Sequence, residues 1–260
     1  MIYKDDQNNT YNICWTDSIN EEMRNHFINI CNEVFGKATM TRERYLCKFS
    51  YNIYGPSIIV IVYNEKGVPI AARSFWRNDI NGQIAYQLGD TCVVKEARGM
   101  GIFRKMTKYA LNEINSSSII YNYPNQNSLN GYLKMGWRIV GEYRLKFVFL
   151  KSRLRQAFDT LIDNEYAKWW LLFDEKGIKS YFKYGGRTYL VNKKRYYGTI
   201  IGQISNNINV SDLPVYKGLL FYRASDIRFY NKKKRPITIV MNSNFNNEVV
   251  VPIHKMDALS

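Results

Sequence analysis

The sequence contains no long hydrophobic run. Its longest uninterrupted apolar stretch is Ile58–Tyr63, whereas a membrane-spanning helix needs about 18 residues. The first residues, from Met1 to Asp6, include no apolar segment of the kind that signal peptides carry. We therefore expect neither a membrane span nor a cleaved leader.

Cysteine and histidine are also scarce. The six residues of these types are Cys14, Cys31, Cys47, Cys92, His26 and His254. Because no two cysteines form a CxxC pair, the sequence argues against a structural zinc site and against a disulfide framework. We expect a reduced, cytoplasmic protein with no metal, in which the cysteines pack as small buried hydrophobes.

Basic residues and apolar residues, by contrast, are abundant. Of 260 residues, 46% are hydrophobic, which is enough for a sizeable core. The chain has 37 Lys+Arg against 22 Asp+Glu, a formal net charge of +15, and residues 151–260 carry +10 of it. A basic surface attracts nucleic acid, anionic lipid or phosphorylated ligands. AT-rich codon usage is an alternative source of the lysine excess.

Hydrophobic periodicity predicts a mixed fold for the first 150 residues. Helices are predicted over residues 19–35, capped by Ser18 or Asn20 and ended by Gly36, and over Thr41–Phe49. The elements that follow are strands Ser57–Tyr63, Val68–Trp76 and Gln83–Val94, helix Gly101–Ile114, strand Ser118–Tyr123, helix Ser128–Met135 and strand Trp137–Leu150. This order indicates an α/β (α+β) domain with a mixed, mostly antiparallel sheet flanked by helices.

Residues 151–260 are predicted to form a smaller α+β domain. Its first element is a helix over Lys151–Phe173. The predicted strands are Lys179–Lys183, Arg187–Asn192, Tyr197–Ile204, Gly218–Tyr222 and Ile237–Met241. A helix followed by a meander resembles the first half, so a degenerate second copy of that domain is one hypothesis.

A glycine-containing segment lies where the third strand runs into the following helix. It reads Arg98-Gly99-Met100-Gly101-Ile102. Glycines allow unusual dihedrals and a close backbone approach to a ligand, and the free N–H groups at the helix start favour an anion such as a pyrophosphate. Arg98, Arg104, Lys105 and Lys108 add positive charge nearby. The segment is neither a Walker A loop nor a dinucleotide GxGxxG motif, and an ordinary strand-to-helix turn remains the alternative.

A second polar segment begins 24 residues after Gly101. Asn125, Ser128, Tyr132 and Gly136 are spaced at i, i+3, i+7 and i+11. On a helix these offsets share one face, which we expect to look back at the glycine segment.

In combination, the two segments resemble those of the GNAT superfamily of acetyl-CoA-dependent acyltransferases. The phosphate loop of that family, Gln/Arg-x-x-Gly-x-Gly/Ala, is matched by Arg98–Phe103, except that Phe103 replaces the last small residue. The later pattern, Asn-x-x-Ala-x-x-x-Tyr-x-x-x-Gly-Phe, is matched by Asn125, Tyr132 and Gly136, with Ser128 for Ala and Trp137 for Phe. The resemblance covers roughly residues 19–150.

The resemblance implies a direct transfer of acetyl from acetyl-CoA, without a covalent acyl-enzyme. The third strand would be bulged and would splay from its neighbour beside the pantetheine arm. The implied cofactor-binding residues are Thr91, Cys92, Val93, Arg98, Gly99, Met100, Gly101, Ile102, Phe103, Arg104, Asn125 and Ser128. Tyr132 would protonate the leaving thiolate.

The reaction also needs a base for the acceptor. Asp90, just before Thr91 on the third strand, is the best candidate, and a turn carboxylate satisfied by backbone N–H groups is its structural alternative. Glu96 and His26 are weaker candidates. Cys92 lies close to the expected acetyl position, but packing explains it better than nucleophilic catalysis.

Two features of the second half have structural explanations that outweigh functional ones. The basic run Lys232–Arg235 is better explained as a solvated turn than as a nuclear signal or nucleic-acid patch. Trp169 and Trp170 could stack on a sugar or base, yet adjacent tryptophans at a helix end more often seal a domain interface.

The leading functional hypothesis is an acetyltransferase that acts on a small acceptor, which is anionic or sugar-like. We expect the acceptor to bind near Asp90, in a site that residues 151–260 help to shape. The two-domain layout and the segment Arg-Gly-x-Gly-Ile-Phe resemble bacterial proteins associated with surface-polysaccharide synthesis, and this resemblance implies an amino sugar, free or nucleotide-linked, as the acceptor. The alternatives are an aminoacyl transferase of the peptidoglycan-bridge type, whose basic half would face tRNA, and a non-catalytic module that binds acyl-CoA. The +10 charge argues against a polycationic acceptor.

Overall fold

The computed structural model describes residues 1–36, 38–148, 154, 158, 161–172, 177–224 and 237–242. The chain forms two compact units. Of the described residues, the first comprises those within Met1–Arg138 together with Val240, Met241 and Asn242, and the second lies within Ile139–Ile239. The basic run Lys232–Arg235 and His254 lie outside the described residues.

The first unit is built on a mixed sheet. Its strands are β1 (Ile2–Lys4), β2 (Thr10–Trp15), β3 (Ile58–Tyr63), β4 (Pro69–Arg77), β5 (Ala85–Val93), β6 (Ile119–Asn122) and the end of β12 (Ile237–Met241). Strands β1 to β5 pair antiparallel in chain order, β6 pairs parallel with β5, and β12 pairs antiparallel with β6. The mixed, mostly antiparallel sheet flanked by helices is confirmed.

Four helices accompany this sheet among the described residues. They are α1 (Glu21–Phe35), α2 (Arg42–Tyr45), α3 (Ile102–Leu111) and α4 (Gln126–Lys134). Asn20 caps α1 by accepting a hydrogen bond from the Met23 amide at 2.8 Å, and Gly36 ends the helix. The predicted helix Thr41–Phe49 is only in part α-helical, because it widens into a π-helical turn over Leu46–Ser50.

The core of the first unit lies between α3 and the sheet. Strand β3 reads Ile-Ile-Val-Ile-Val-Tyr, and its five β-branched residues are buried on both faces. From α3, the buried residues Ile102, Met106 and Ala110 pack against this sheet. The 3.6-residue periodicity of the sequence predicted this apolar face of α3. Packing of this face on the sheet fixes the start of α3, which follows β5 in the chain.

The second unit has its own sheet and core. Its strands are β7 (Arg138–Phe147), β8 (Lys179–Tyr184), β9 (Arg187–Lys193), β10 (Gly198–Ile204) and β11 (Leu220–Ala224), in the order β7-β11-β10-β9-β8. The described helix of this unit is α5 (Asn164–Leu171), in which Trp169 and Trp170 are both buried.

The prediction of one continuous helix over Lys151–Phe173 is wrong at its centre. Leu161 forms a parallel bridge with Gln203, and Asp163 caps α5 by accepting a hydrogen bond from the Tyr166 amide at 3.0 Å. A residue that pairs with a strand has extended dihedrals and cannot continue a helix. Most of the predicted range before Leu161 lies outside the described residues.

Strands β1 and β2 were not predicted. β1 has only three residues, and β2 mixes polar with apolar side chains. Their hairpin is anchored by Asp5, whose Oδ2 accepts hydrogen bonds from Tyr11 Oη at 2.8 Å and from Lys105 Nζ at 2.9 Å. This contact ties the hairpin to α3.

Candidate acyl-CoA site

Strand β5 leaves its parallel neighbour partway along its length. It pairs with β6 only over Ala85–Gln87, so the rest of β5 makes no ladder with β6 among the described strands. On its other side the register with β4 shifts between Ala72 and Ser74, and Asp90 has a positive φ of 45°. The bulge and the splay that the resemblance implies are therefore present.

The segment Arg98–Phe103 leads from β5 into α3. Gly99 and Gly101 have φ angles of 84° and 74°, which residues with a Cβ rarely adopt. Among the described residues, the backbone N–H groups of residues 99 to 103 have no acceptor, while the Arg104 and Lys105 amides both donate to the Gly101 carbonyl. Five consecutive free N–H groups at the positive end of a helix dipole form an anion-binding concavity.

The cations around this concavity differ in availability. The Arg98 Nε donates to the Val93 carbonyl at 3.2 Å, and the side chains of Arg104 and Lys108 are exposed. Lys105, which we expected to add charge here, instead pairs with Asp5 and Asp6. The Lys105 ammonium is therefore already paired with carboxylates of the N-terminal hairpin and adds little positive charge to the concavity.

The face of α4 meets the glycine segment through aromatic rings. Tyr132 is fully buried, and its ring lies 5.3 Å from that of Phe103 in an edge-to-face arrangement. A Cβ on Gly131 would lie 3.1 Å from Cε1 of Phe103, so the glycine at this position makes room for that ring. Phe103, the departure from the family pattern, therefore packs between the two helices.

Asn125 and Ser128 act locally as a helix cap. Asn125 Oδ1 accepts hydrogen bonds from the Ser128 amide at 3.0 Å and from Ser128 Oγ at 3.1 Å. Of the Asn125 side chain, only Nδ2 stays free to donate. The cofactor contacts that the resemblance implies for these two residues remain predictions.

The Tyr132 hydroxyl lies between two hydrogen-bond donors. It accepts from Arg73 Nη2 and from Asn122 Nδ2, the latter at 2.6 Å. Burial raises the pKa of Tyr132, while the Arg73 charge and both hydrogen bonds act in the opposite direction. Burial likewise lowers the pKa of the Arg73 guanidinium.

Asp90 lies in a polar cluster on β5 and is not satisfied by backbone N–H groups. Its Oδ2 accepts hydrogen bonds from Lys48 Nζ and from Ser74 Oγ, both at 2.6 Å. Burial raises the pKa of Asp90, but the charge and hydrogen bond of Lys48, the hydrogen bond from Ser74 and the charge of Arg44 together leave the pKa below its usual range. Lys48 reaches this carboxylate from the π-helical turn.

The remaining predicted residues have ordinary surroundings. The Thr91 hydroxyl donates to the Gly89 carbonyl at 3.3 Å, and the Cys92 thiol is buried 3.9 Å from that of Cys31. The imidazole of His26 is 2.9 Å from the Tyr63 hydroxyl, and Glu96 is exposed. The buried Cys92 thiol fits the packing role that the sequence favoured.

Sequence reasoning missed the residues that partner Tyr132 and Asp90. Arg73 is 59 positions from Tyr132 in the sequence, and Lys48 is 42 positions from Asp90. One signal was present, because Arg73 interrupts the apolar run Ile70-Ala-Ala-Arg-Ser-Phe-Trp76 of a buried strand. A charge at such a position is costly unless it has partners.

Neither a protein-family model nor a curated protein matches this sequence. Solved structures do resemble it. A GCN5-related N-acetyltransferase from Anabaena variabilis superposes with a TM-score of 0.54 at 14% identity, covering 91% of this chain and 74% of that one. Another from Kribbella flavida gives a TM-score of 0.52 at 12% identity, covering 89% and 71%.

A third similar structure is a conserved Enterococcus faecalis protein of unknown function, described as a probable N-acyltransferase. It has a TM-score of 0.52 at 12% identity and covers 88% of this chain and 72% of that one. In the part of the chain that the structure describes, no helix has the length and apolar character needed to cross a membrane. At these identities the similarity establishes the architecture, and we conclude that this chain has the fold of the GCN5-related N-acetyltransferases.

Proposed function

We propose that the protein is an acetyl-CoA-dependent N- or O-acetyltransferase. The observation that carries this proposal is the run of five acceptor-free N–H groups at residues 99 to 103, which follows the part of β5 that no longer pairs with β6. The concavity suits a pyrophosphate, and the unpaired edge of β5 suits the amide groups of a pantetheine arm. The fold shared with N-acetyltransferases supports the same activity.

Backbone groups would do most of the cofactor binding. The amides of residues 99 to 103 would hold the pyrophosphate, with the side chains of Arg98 and Arg104 adding charge at the exposed rim; the Arg104 amide, which the resemblance also implies, is already bonded to the Gly101 carbonyl. The backbone of Thr91, Cys92 and Val93 would align the pantetheine, and Asn125 Nδ2 and Ser128 would contact it from α4. Acetyl-CoA supplies an activated acetyl group as a thioester.

Two side chains would manage protons. We assign Tyr132 as the acid that protonates the departing thiolate. Asp90 is ionised at neutral pH because Lys48 lowers its pKa. Its Oδ1 makes no hydrogen bond among the described residues, so it can accept one from the acceptor's N–H or O–H, directly or through water. We therefore assign Asp90 as the base that takes the proton of the acceptor, directly or through a water molecule.

Calorimetry with acetyl-CoA and with free CoA tests the binding site. We expect micromolar-scale binding, weakened at least tenfold in Gly101→Asp, because the substitution places a carboxylate in the anion site. The matched control is Gly67→Asp, since Gly67 also has a φ of 74° and open space around its Cα but lies in the β3–β4 turn.

Gly67→Asp should bind as the wild type does. Absence of binding by the wild type would overturn the proposed function. Equal weakening by both substitutions would show that backbone strain, and not the anion site, is responsible.

We propose a small acceptor with an amine or hydroxyl group and an anionic or sugar-like character, such as an amino sugar or a nucleotide-linked sugar. The net charge of +15 supports it, because a positive field concentrates anionic ligands and repels polycations. A role in surface-polysaccharide synthesis would follow from such an acceptor. Nucleic acid is not part of the proposal.

An acceptor screen is expected to favour UDP-amino sugars over free amino sugars, polyamines and peptides. For an anionic acceptor, kcat/KM should fall as ionic strength rises, since charge interactions are screened over about 10 Å at 0.1 M salt. Preferred turnover of polyamines or peptides would contradict the proposed acceptor class. Tight acetyl-CoA binding without turnover of any acceptor would favour the non-catalytic binding module instead.

A further inference from the structure

The strongest unexplained feature of the first unit is a buried cation without an anion. Arg73, in the middle of β4, is fully buried, and no carboxylate pairs with it among the described residues. Its Nη1 donates to Thr107 Oγ1 and its Nη2 to Tyr132 Oη, while its Nε has no partner. Burying such a charge is costly, and an apolar residue would fill a core strand at lower cost.

The position of Arg73 links it to the site. It lies between the register pairs Ala72–Cys92 and Ser74–Gly89, directly opposite the bulge of β5. The guanidinium carbon is 4.7 Å from the centre of the Phe103 ring, so the aromatic residue of the glycine segment helps to hold the charge.

The orientation of the second donor, Asn122, follows from its neighbour. The Tyr123 amide donates to Asn122 Oδ1 at 2.8 Å, which identifies that atom as the oxygen. The atom that faces Tyr132 at 2.6 Å is therefore Nδ2, which can only donate.

The Tyr132 oxygen thus receives two hydrogen bonds, one from a cation and one from an amide. Both of its lone pairs are then used, and its own hydrogen has no acceptor among the described residues. Thr107 differs, because its hydroxyl passes its hydrogen to the Phe103 carbonyl at 2.8 Å. The arrangement holds Tyr132 as a proton donor and prepares a site for the phenolate.

We propose that Arg73 and Asn122 are positioning residues that orient the Tyr132 O–H toward the leaving group and stabilise the phenolate that remains. The O–H bond of Tyr132 breaks, an S–H bond forms on the departing thiolate, and the electron pair stays on the phenolate oxygen beside the guanidinium. The assignment rests on the proposed function for the thiolate, but the hydrogen-bond arrangement is a property of this chain alone.

The direct test follows the ionisation of Tyr132 by NMR of protein with 13C at tyrosine Cζ. The Tyr132 resonance is identified by its loss in Tyr132→Phe. We expect wild-type Tyr132 to ionise before the protein unfolds at high pH, and to do so at a lower pH than in Arg73→Met, since removing the cation raises its pKa. Arg73→Lys, which keeps a charge, should recover part of the shift.

Several results would overturn the proposal. They are a wild-type resonance that stays a phenol to the highest pH at which the protein is folded, and ionisation of Tyr132 at the same or lower pH in Arg73→Met. If Arg73→Met does not fold, Asn122→Leu removes the neutral donor instead. It should also move the ionisation to higher pH, and an unchanged titration would again contradict the assignment.

A kinetic cycle provides the second readout. If Arg73 acts through Tyr132, Arg73→Met should lower kcat in the wild type but cause less than a twofold further loss in Tyr132→Phe. Independent, additive losses would show that Arg73 has only a packing role. Failure of the wild type to bind acetyl-CoA would refute the proposed function, whereas the NMR result would still decide whether Arg73 controls Tyr132.

Discussion

Replacing Tyr132 with phenylalanine is expected to lower kcat about 10²–10⁴-fold, the usual contribution of general acid catalysis. The substitution keeps the ring against Phe103 and Trp137 and removes only the hydroxyl. Affinity for acetyl-CoA should change little, because the proposed pyrophosphate contacts involve the free backbone N–H groups of residues 99 to 103 and not the Tyr132 hydroxyl. The effect should therefore appear in kcat, with the affinity measured separately by calorimetry.

The matched control for this substitution is Tyr121→Phe. Tyr121 is also fully buried, and its hydroxyl is hydrogen-bonded to the Asn78 carbonyl at 3.3 Å and not to Arg73. Both variants lose a buried hydroxyl, so both should lose stability, but only Tyr132→Phe should lose kcat. An unchanged kcat in Tyr132→Phe, in an assay limited by chemistry, would reassign Tyr132 to packing.

The largest effect on stability is expected from Asp5→Ala, at about 3 kcal/mol of unfolding free energy. The Asp5 side chain is 1% exposed and accepts hydrogen bonds from the Asn9 amide, Tyr11 and Lys105. Removing the carboxylate leaves the Asn9 amide and the Tyr11 hydroxyl without this acceptor and removes the buried ion pair between the N-terminal hairpin and α3. Urea unfolding at pH 7 measures the loss.

Asp6 provides the control for this variant. Its carboxylate also contacts Lys105, at 2.5 Å, but its side chain is 82% exposed. Because water can replace an exposed ion pair, Asp6→Ala should change stability little. Equal losses of unfolding free energy in the two variants would show that the burial of Asp5 does not increase its contribution to stability.

The pH dependence of the Asp5 contribution has a definite sign. Burial raises the pKa of Asp5, but the hydrogen bonds from Lys105 and Tyr11 outweigh it and hold the pKa well below the usual range. The stabilisation is therefore complete above the unfolded pKa of about 3.9 and is lost as the pH falls toward the folded pKa. The difference between the wild type and Asp5→Asn should shrink below about pH 4, and a constant difference would contradict this.

The parts of the fold that sequence predicted well are those set by local periodicity. The apolar spacing of Ile102, Met106 and Ala110 defines α3 regardless of its partners, and the buried strand β3 is apolar throughout. The helix over Lys151–Phe173 failed because Leu161 is extended by pairing with Gln203, 42 positions away. A window of neighbouring residues carries no information about such a bridge.

The sequence by itself determined the two motifs of the candidate site. Gly99 and Gly101 are at positions where only glycine turns easily into a helix, and the spacing from Asn125 to Tyr132 follows from helical geometry. Tertiary structure alone decided which groups accompany them. Lys48 contacts Asp90, and Arg73 contacts Tyr132, because strands and helices that are distant in sequence pack together. At these buried positions a charged group without a hydrogen-bond partner would cost much more free energy than it does in water.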